Sequence, residues 1–141
     1  MIATDDLNDD DYVALADFRY ALRHFHAFSE ERATAQGLTP QQHQALLAIR
    51  AGEVRTGTVV TVGYVADRLI LKPHSATGLI DRLVALGLVA RYASPRDRRQ
   101  TLLGLTDAAR AVLARLSATH RDEIRRLRPL LTSLLGQLDD H

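Results

Sequence analysis

Between residues 72 and 99 stand six cations, Lys72, Arg82, Arg91, Arg96, Arg98 and Arg99, against two carboxylates, Asp81 and Asp97. A local excess of this kind attracts a polyanion, although taken alone it is more often the mark of a solvated basic face. Order and spacing sharpen it. The segment opens Lys72-Pro73-His74-Ser75-Ala76-Thr77-Gly78, in which the Ser75 and Thr77 hydroxyls can bond to bases or phosphates, His74 can do either, and Gly78 permits close approach. Other groupings point to less. His24 and His26 lie two apart, so on a helix their rings face different ways and no metal site is expected. Ser75 or Ser94 could be paired with a His and an Asp, but no Gly-x-Ser-x-Gly elbow or Gly-rich phosphate loop accompanies them. No catalytic residue and no cofactor are therefore expected. The absence of cysteine excludes disulfides, thiolate nucleophiles, Cys-ligated zinc, iron–sulfur clusters and thiol-based redox sensing.

These residues need a scaffold, and 141 residues with 46% apolar and 25% charged side chains suffice for one globular domain. The net charge of +1 names no partner, but its distribution is uneven: residues 1–31 hold eight acids against two arginines. Asp5, Asp6, Asp9, Asp10 and Asp11 stand where a secretory signal would carry basic residues, and no run approaches 18 apolar residues. A cytoplasmic location with no membrane partner is the expectation.

Periodicity supplies the elements. Leu15, Phe18, Leu22 and Phe25 recur at steps of three and four and predict a long amphipathic helix over residues 12–35, stopped near Gly37. Thr39, Pro40 and Gln42 form an N-cap, a first-turn proline and a capping-box partner. The second helix they open has Leu46, Leu47 and Ile49 on its apolar face and Gly52 beyond its end, with a polar turn over 53–58. Val59 and Val60 suit a short strand, and Thr61 caps a third helix, through Leu69, that buries Val62, Val65, Ala66 and Leu69. About three residues later Pro73 opens a fourth helix with Ala76, Leu79, Ile80 and Leu83 inward, ending at Gly87. Residues 88–92 and 101–105 read as strands joined by a polar loop with a basic tip. Thr106 and Asp107 start a helix carrying Ala109, Val112, Leu113 and Leu116, and Ile124, Leu127, Leu131, Leu134 and Leu138 continue as a coiled-coil-like seam. Pro129 either kinks this helix or starts a sixth.

Two short helices joined by a tight turn make a helix-turn-helix, whose second helix enters the DNA major groove by its N-terminal end. The hairpin that follows would be a wing, with an arginine reaching a narrow and strongly negative minor groove.

At this point the sequence resembles the multiple-antibiotic-resistance regulator (MarR) type of winged-helix transcription factors, over roughly residues 12–138. The resemblance is carried by Ser75-Ala76-Thr77-Gly78-Leu79-Ile80-Asp81-Arg82-Leu83, Leu86-Gly87-Leu88-Val89, Ser94-Pro95-Arg96-Asp97-Arg98-Arg99 and Leu105-Thr106-Asp107-Ala108. It implies a mainly α fold: a winged helix-turn-helix lobe with a two-stranded wing over 38–106, flanked by dimerisation helices over 1–37 and 107–141 in a single domain. It also implies a homodimer on a pseudo-palindromic operator in double-stranded DNA. Base readout would fall on His74, Ser75, Thr77 and Gly78, backbone contact on Arg82, and the wing Asp-x-Arg on Asp97 and Arg99, with Lys72, Arg96 and Arg98 beside them. A small aromatic or phenolic effector would bind near Phe18, Phe25 and His43. Two departures stand out: Ile70 where the turn often has glycine, and a short linker containing Pro129 before the last helical segment. The expected function is a sequence-specific, ligand-responsive transcriptional repressor. The alternative is a dimeric winged-helix interaction module without sequence-specific DNA binding, which loss of the wing arginines would have favoured.

Overall fold

The computed structural model describes residues 7–139; Met1, Asp5 and Asp6 lie outside that range. The elements run α1 (Asp9–Ala35), α2 (Pro40–Thr56), β1 (Val60–Thr61), α3 (Val62–Leu69), α4 (Pro73–Ala85), β2 (Val89–Ala93), β3 (Thr101–Leu105) and α5 (Asp107–Asp139). The chain forms two compact units, one of Arg32–Ser117 and one of the residues up to Glu31 together with those from Ala118 onward.

In the unit of Arg32–Ser117, the Thr39 hydroxyl accepts from the Gln42 amide at 3.2 Å while the Gln42 carboxamide accepts from the Thr39 amide at 3.0 Å. This reciprocal cap, with Pro40 in the first turn, starts α2 where the residue types demand. The helix does not stop at Gly52 as its sequence suggests, but continues to Thr56 and ends on Gly57, whose φ of 72° is left-handed. Gly52 serves another purpose. A Cβ there would lie 2.4 Å from Val60 Cγ1 and 2.8 Å from Tyr64 Cε1, so glycine is what lets β1 and α3 pack against α2. Gly52→Ala is expected to destabilise the fold by about 1–3 kcal/mol through overpacking. A denaturant midpoint equal to that of the parent protein would contradict this.

β3 is the central strand of a three-stranded antiparallel sheet ordered β1-β3-β2. Val60 pairs with Leu103 on one side, and the β2 register runs from Val89 opposite Leu105 to Ala93 opposite Thr101 on the other. The two-stranded wing is thus braced by a third short strand, Val60–Thr61, shifted one residue from the expected Val59-Val60. The sheet and helices enclose one core in which Leu46, Ile49, Val65, Ile80, Leu83 and Leu103 are fully buried. Leu47, expected on the buried face of α2, is instead 47% exposed, and Val62 and Leu69 are only partly buried.

Between α3 and α4 the turn is three residues long, Ile70 to Lys72. Ile70 caps α3 in the left-handed conformation, φ 54° and ψ 49°, with its amide bonded back to Asp67 and Ala66 carbonyls. The turn therefore has the geometry that glycine favours, held by a β-branched residue at a cost of roughly 1–2 kcal/mol. Its side chain is 93% exposed and adds nothing to the core.

In the other unit, Asn8 and Asp11 cap the start of α1 reciprocally: the Asn8 amide donates to Asp11 Oδ2 at 3.0 Å and the Asp11 amide to Asn8 Oδ1 at 2.9 Å. This explains why α1 begins at Asp9 rather than near Tyr12. His120 is buried, within 2.8 Å of Ser29 Oγ and edge-on to Phe25 and Phe28. Ala14, Ala21 and Leu134 are buried, whereas Leu15, Phe18, Leu22, Ile124, Leu135 and Leu138 are at least 37% exposed. Pro129 is accommodated inside the single helix α5.

Candidate nucleic-acid interface

Ala76, Leu79, Ile80 and Leu83 of α4 are buried, so the opposite face is committed to solvent. His74, Ser75, Thr77 and Arg82 are exposed on it and Gly78 is half-buried. Lys72 is the N-cap but makes no side-chain cap bond, and Pro73 occupies the first turn without an amide to satisfy. The N-terminal end of α4 is accordingly open to an anion. The Thr77 hydroxyl donates to the Pro73 carbonyl at 3.0 Å. With its proton held there, Thr77 presents lone pairs and a methyl group, suited to accept from a base amino group or to meet a thymine methyl.

Gly78 has no steric reason to be glycine: a Cβ there would find nothing within 4 Å. In the middle of a helix it costs about 0.5–1 kcal/mol relative to alanine. Gly78→Ala is therefore expected to raise the thermal midpoint while weakening operator binding, opposite signs that a melting curve and a titration read separately. A loss of stability would mean that the glycine serves the fold.

The wing loop is organised by two short side chains. Ser94 Oγ accepts from the Arg96 and Asp97 amides at 3.3 and 3.2 Å, and Asp97 Oδ1 accepts from the Arg99 amide at 2.9 Å. Asp97 thus shapes the backbone under the arginines rather than pairing with a guanidinium. Among the described residues, Arg96, Arg98 and Arg99 form no ion pair and all three are exposed. Arg91 differs, being paired with Asp81 of α4. That pair joins two elements whose register only the fold reveals, and no local sequence signal marks it.

Phe18 and Phe25 line a small apolar cavity of about 130 Å³ with Leu22, Ile124, Leu127 and Leu131. His43 is buried in the other unit, 4% exposed. His24 and His26 are exposed beside Tyr20 and Phe25 respectively, and among the described residues no three His, Cys, Asp or Glu side chains cluster as a metal site would require. No described helix is long and apolar enough to cross a membrane.

Three helices with a tight turn, followed by a sheet-braced hairpin with basic residues at its tip, define a winged helix-turn-helix protein. Residues 36–100 match the family model of the MarR family. It is 36% identical over 87 residues to the transcriptional activatory protein BadR of Rhodopseudomonas palustris, covering 62% of this chain and 49% of that protein. It is 35% identical over 77 residues to the transcriptional repressor MdtR of Bacillus subtilis, covering 55% and 46%. The chain thus spans about half the length of these curated relatives. In fold it is similar to a variant of MepR from S. aureus solved bound to an oligodeoxyribonucleotide, with a TM-score of 0.68, 18% identity, and coverage of 86% of this chain and 94% of that one.

Proposed function

We propose that the protein is a sequence-specific regulator of transcription that binds double-stranded DNA as a cytoplasmic homodimer and represses by occupying its operator. The observation that carries this is the amino-terminal face of α4, with His74, Ser75 and Thr77 exposed and Gly78 half-buried, in the same unit as three wing guanidiniums that form no ion pair among the described residues. A face of short polar groups reads base edges, and exposed cations at a hairpin tip suit phosphates and the minor groove. In this reading the lobe of residues 38–106 contacts DNA, Lys72 and Arg82 hold the backbone, and residues 1–37 and 107–141 supply dimerisation. The exposed leucines of α1 and α5 are the surface a second copy covers. BadR and MdtR are named as regulators of opposite sign, and MepR as bound to an oligodeoxyribonucleotide.

A small aromatic acid is the effector class this reading carries. A slot of about 300 Å³ in the unit of Arg32–Ser117 has Leu47, Leu113 and Ala114 as apolar lining and two guanidiniums, Arg50 and Arg110. Arg110 is held by Glu53 at 3.0 Å, which leaves Arg50 as the cation for a carboxylate. Phe18, Phe25 and His43 remain the other residues assigned to ligand. Such an acid releases DNA only by binding the released conformation more tightly than the DNA-competent one.

Selection of bound sequences from a random duplex pool tests the central claim. Enrichment of a pseudo-palindrome with half-sites about one helical turn apart is expected. A pool that stays random through successive rounds would remove the reading.

A further inference from the structure

Between α4 and the wing lies a concave gap of about 620 Å³, lined by Gly63 at the start of α3, Thr77 and Asp81 of α4, and Arg91, Arg99 and Gln100. One sugar–phosphate strand separates the major groove of a duplex from its minor groove. A protein with α4 in one groove and its wing in the next must straddle that strand. We infer that this gap is a phosphodiester seat in which Asp81 and Arg91 work as a compensated pair, Arg91 cancelling a carboxylate that would otherwise face the phosphate. The inference rests on the DNA-binding reading above and gives roles to Asp81, Arg91 and Gly63, which that reading does not use.

Three features support it. Arg91 and Arg99 bring two guanidiniums to one gap, and Arg91 is 41% exposed. Its ion pair engages Nη2, so other donors of its planar group stay available to a phosphate oxygen. Gly63 is not required by packing, because an added Cβ would meet only Thr61 Oγ1 at 3.7 Å. Without a side chain there, the backbone at Gly63 is exposed at the gap, while the Tyr64 amide one residue on is capped by the Thr61 hydroxyl at 3.0 Å. Finally, Asp81 is 57% exposed and lines the same gap, a placement unfavourable for a phosphate unless a cation accompanies it.

Four proteins, the parent, R91A, D81N and the double variant D81N/R91A, should be titrated against the selected operator and a scrambled duplex at one salt concentration. R91A is expected to lose about tenfold or more on both duplexes, because it strips the cation and leaves the carboxylate in the strand's path. The double variant should recover most of that loss, and D81N alone should bind both duplexes at least as tightly as the parent. R91K, which keeps the charge but loses the planar fork that serves carboxylate and phosphate together, should bind between the parent and R91A, and melting curves of all the variants separate a binding effect from unfolding. Equal losses for R91A and the double variant would overturn the compensated seat while leaving DNA binding standing. A parent protein that retains neither duplex would instead remove the DNA-binding reading itself.

Discussion

Replacing Leu135 and Leu138 by Glu is expected to turn a dimer into a monomer and to lower operator affinity by two orders of magnitude or more. Both side chains are exposed in the single chain, at 59% and 37%, so charging them damages little of the chain's own packing. Leu134 is a poorer choice because it is 4% exposed and a charge there would disturb its own unit. Each buried leucine contributes about 1.5–3 kcal/mol, and desolvating a carboxylate in its place adds a penalty. The DNA effect follows from geometry. Two linked lobes bind two half-sites with a high effective concentration for the second, and a lone lobe has only its own contacts. Light scattering at micromolar concentration should give twice the 15.6 kDa chain mass for the parent and one chain mass for the variant. A parent mass of one chain would refute the assembly.

Removing the wing guanidiniums together, Arg96→Ala, Arg98→Ala and Arg99→Ala, should weaken operator and scrambled duplex alike. Because each cation that meets a phosphate displaces counterions, the slope of log affinity against log salt should flatten by roughly 0.9 for every phosphate left without its cation. Thr77→Ala should behave otherwise, costing about 1–3 kcal/mol on the preferred site and little on scrambled duplex. Titrations of both variants on both duplexes at two salt concentrations decide the matter. An unchanged salt slope for the triple variant would take the wing away from the DNA, and equal losses on both duplexes would take base reading away from Thr77.

Local chemistry was legible where one stretch of chain decides its own conformation. The Thr39 and Gln42 cap, the Thr61 cap, the three-residue turn and the inward row of α4 all follow from residue types a few positions apart. Interactions between elements were not. Gly52 has the appearance of a helix stop, and only the arrival of Val60 and Tyr64 shows it to be a point of close approach. Asp81 and Arg91 count simply as opposite charges in the sequence, yet their pairing makes one of the central cations unlike the rest. In α1 the large apolar residues promised a buried stripe, but alanines at 14, 21 and 33 are the fully covered positions while Leu15, Phe18 and Leu22 stay exposed. A stripe intended for a second molecule has the same period as one intended for the chain's own core.

The start of α5 is pinned at Thr106, whose hydroxyl donates to the Gly87 carbonyl at 2.8 Å and accepts from the Ala109 amide, while its own amide donates to the Leu88 carbonyl at 3.1 Å. Those anchors sit at the end of α4 and the foot of the wing. Thr106 thus ties the end of α4, the foot of the wing and the first turn of α5 to one residue, so that α4 and the wing are held as one piece rather than hinged at Gly87.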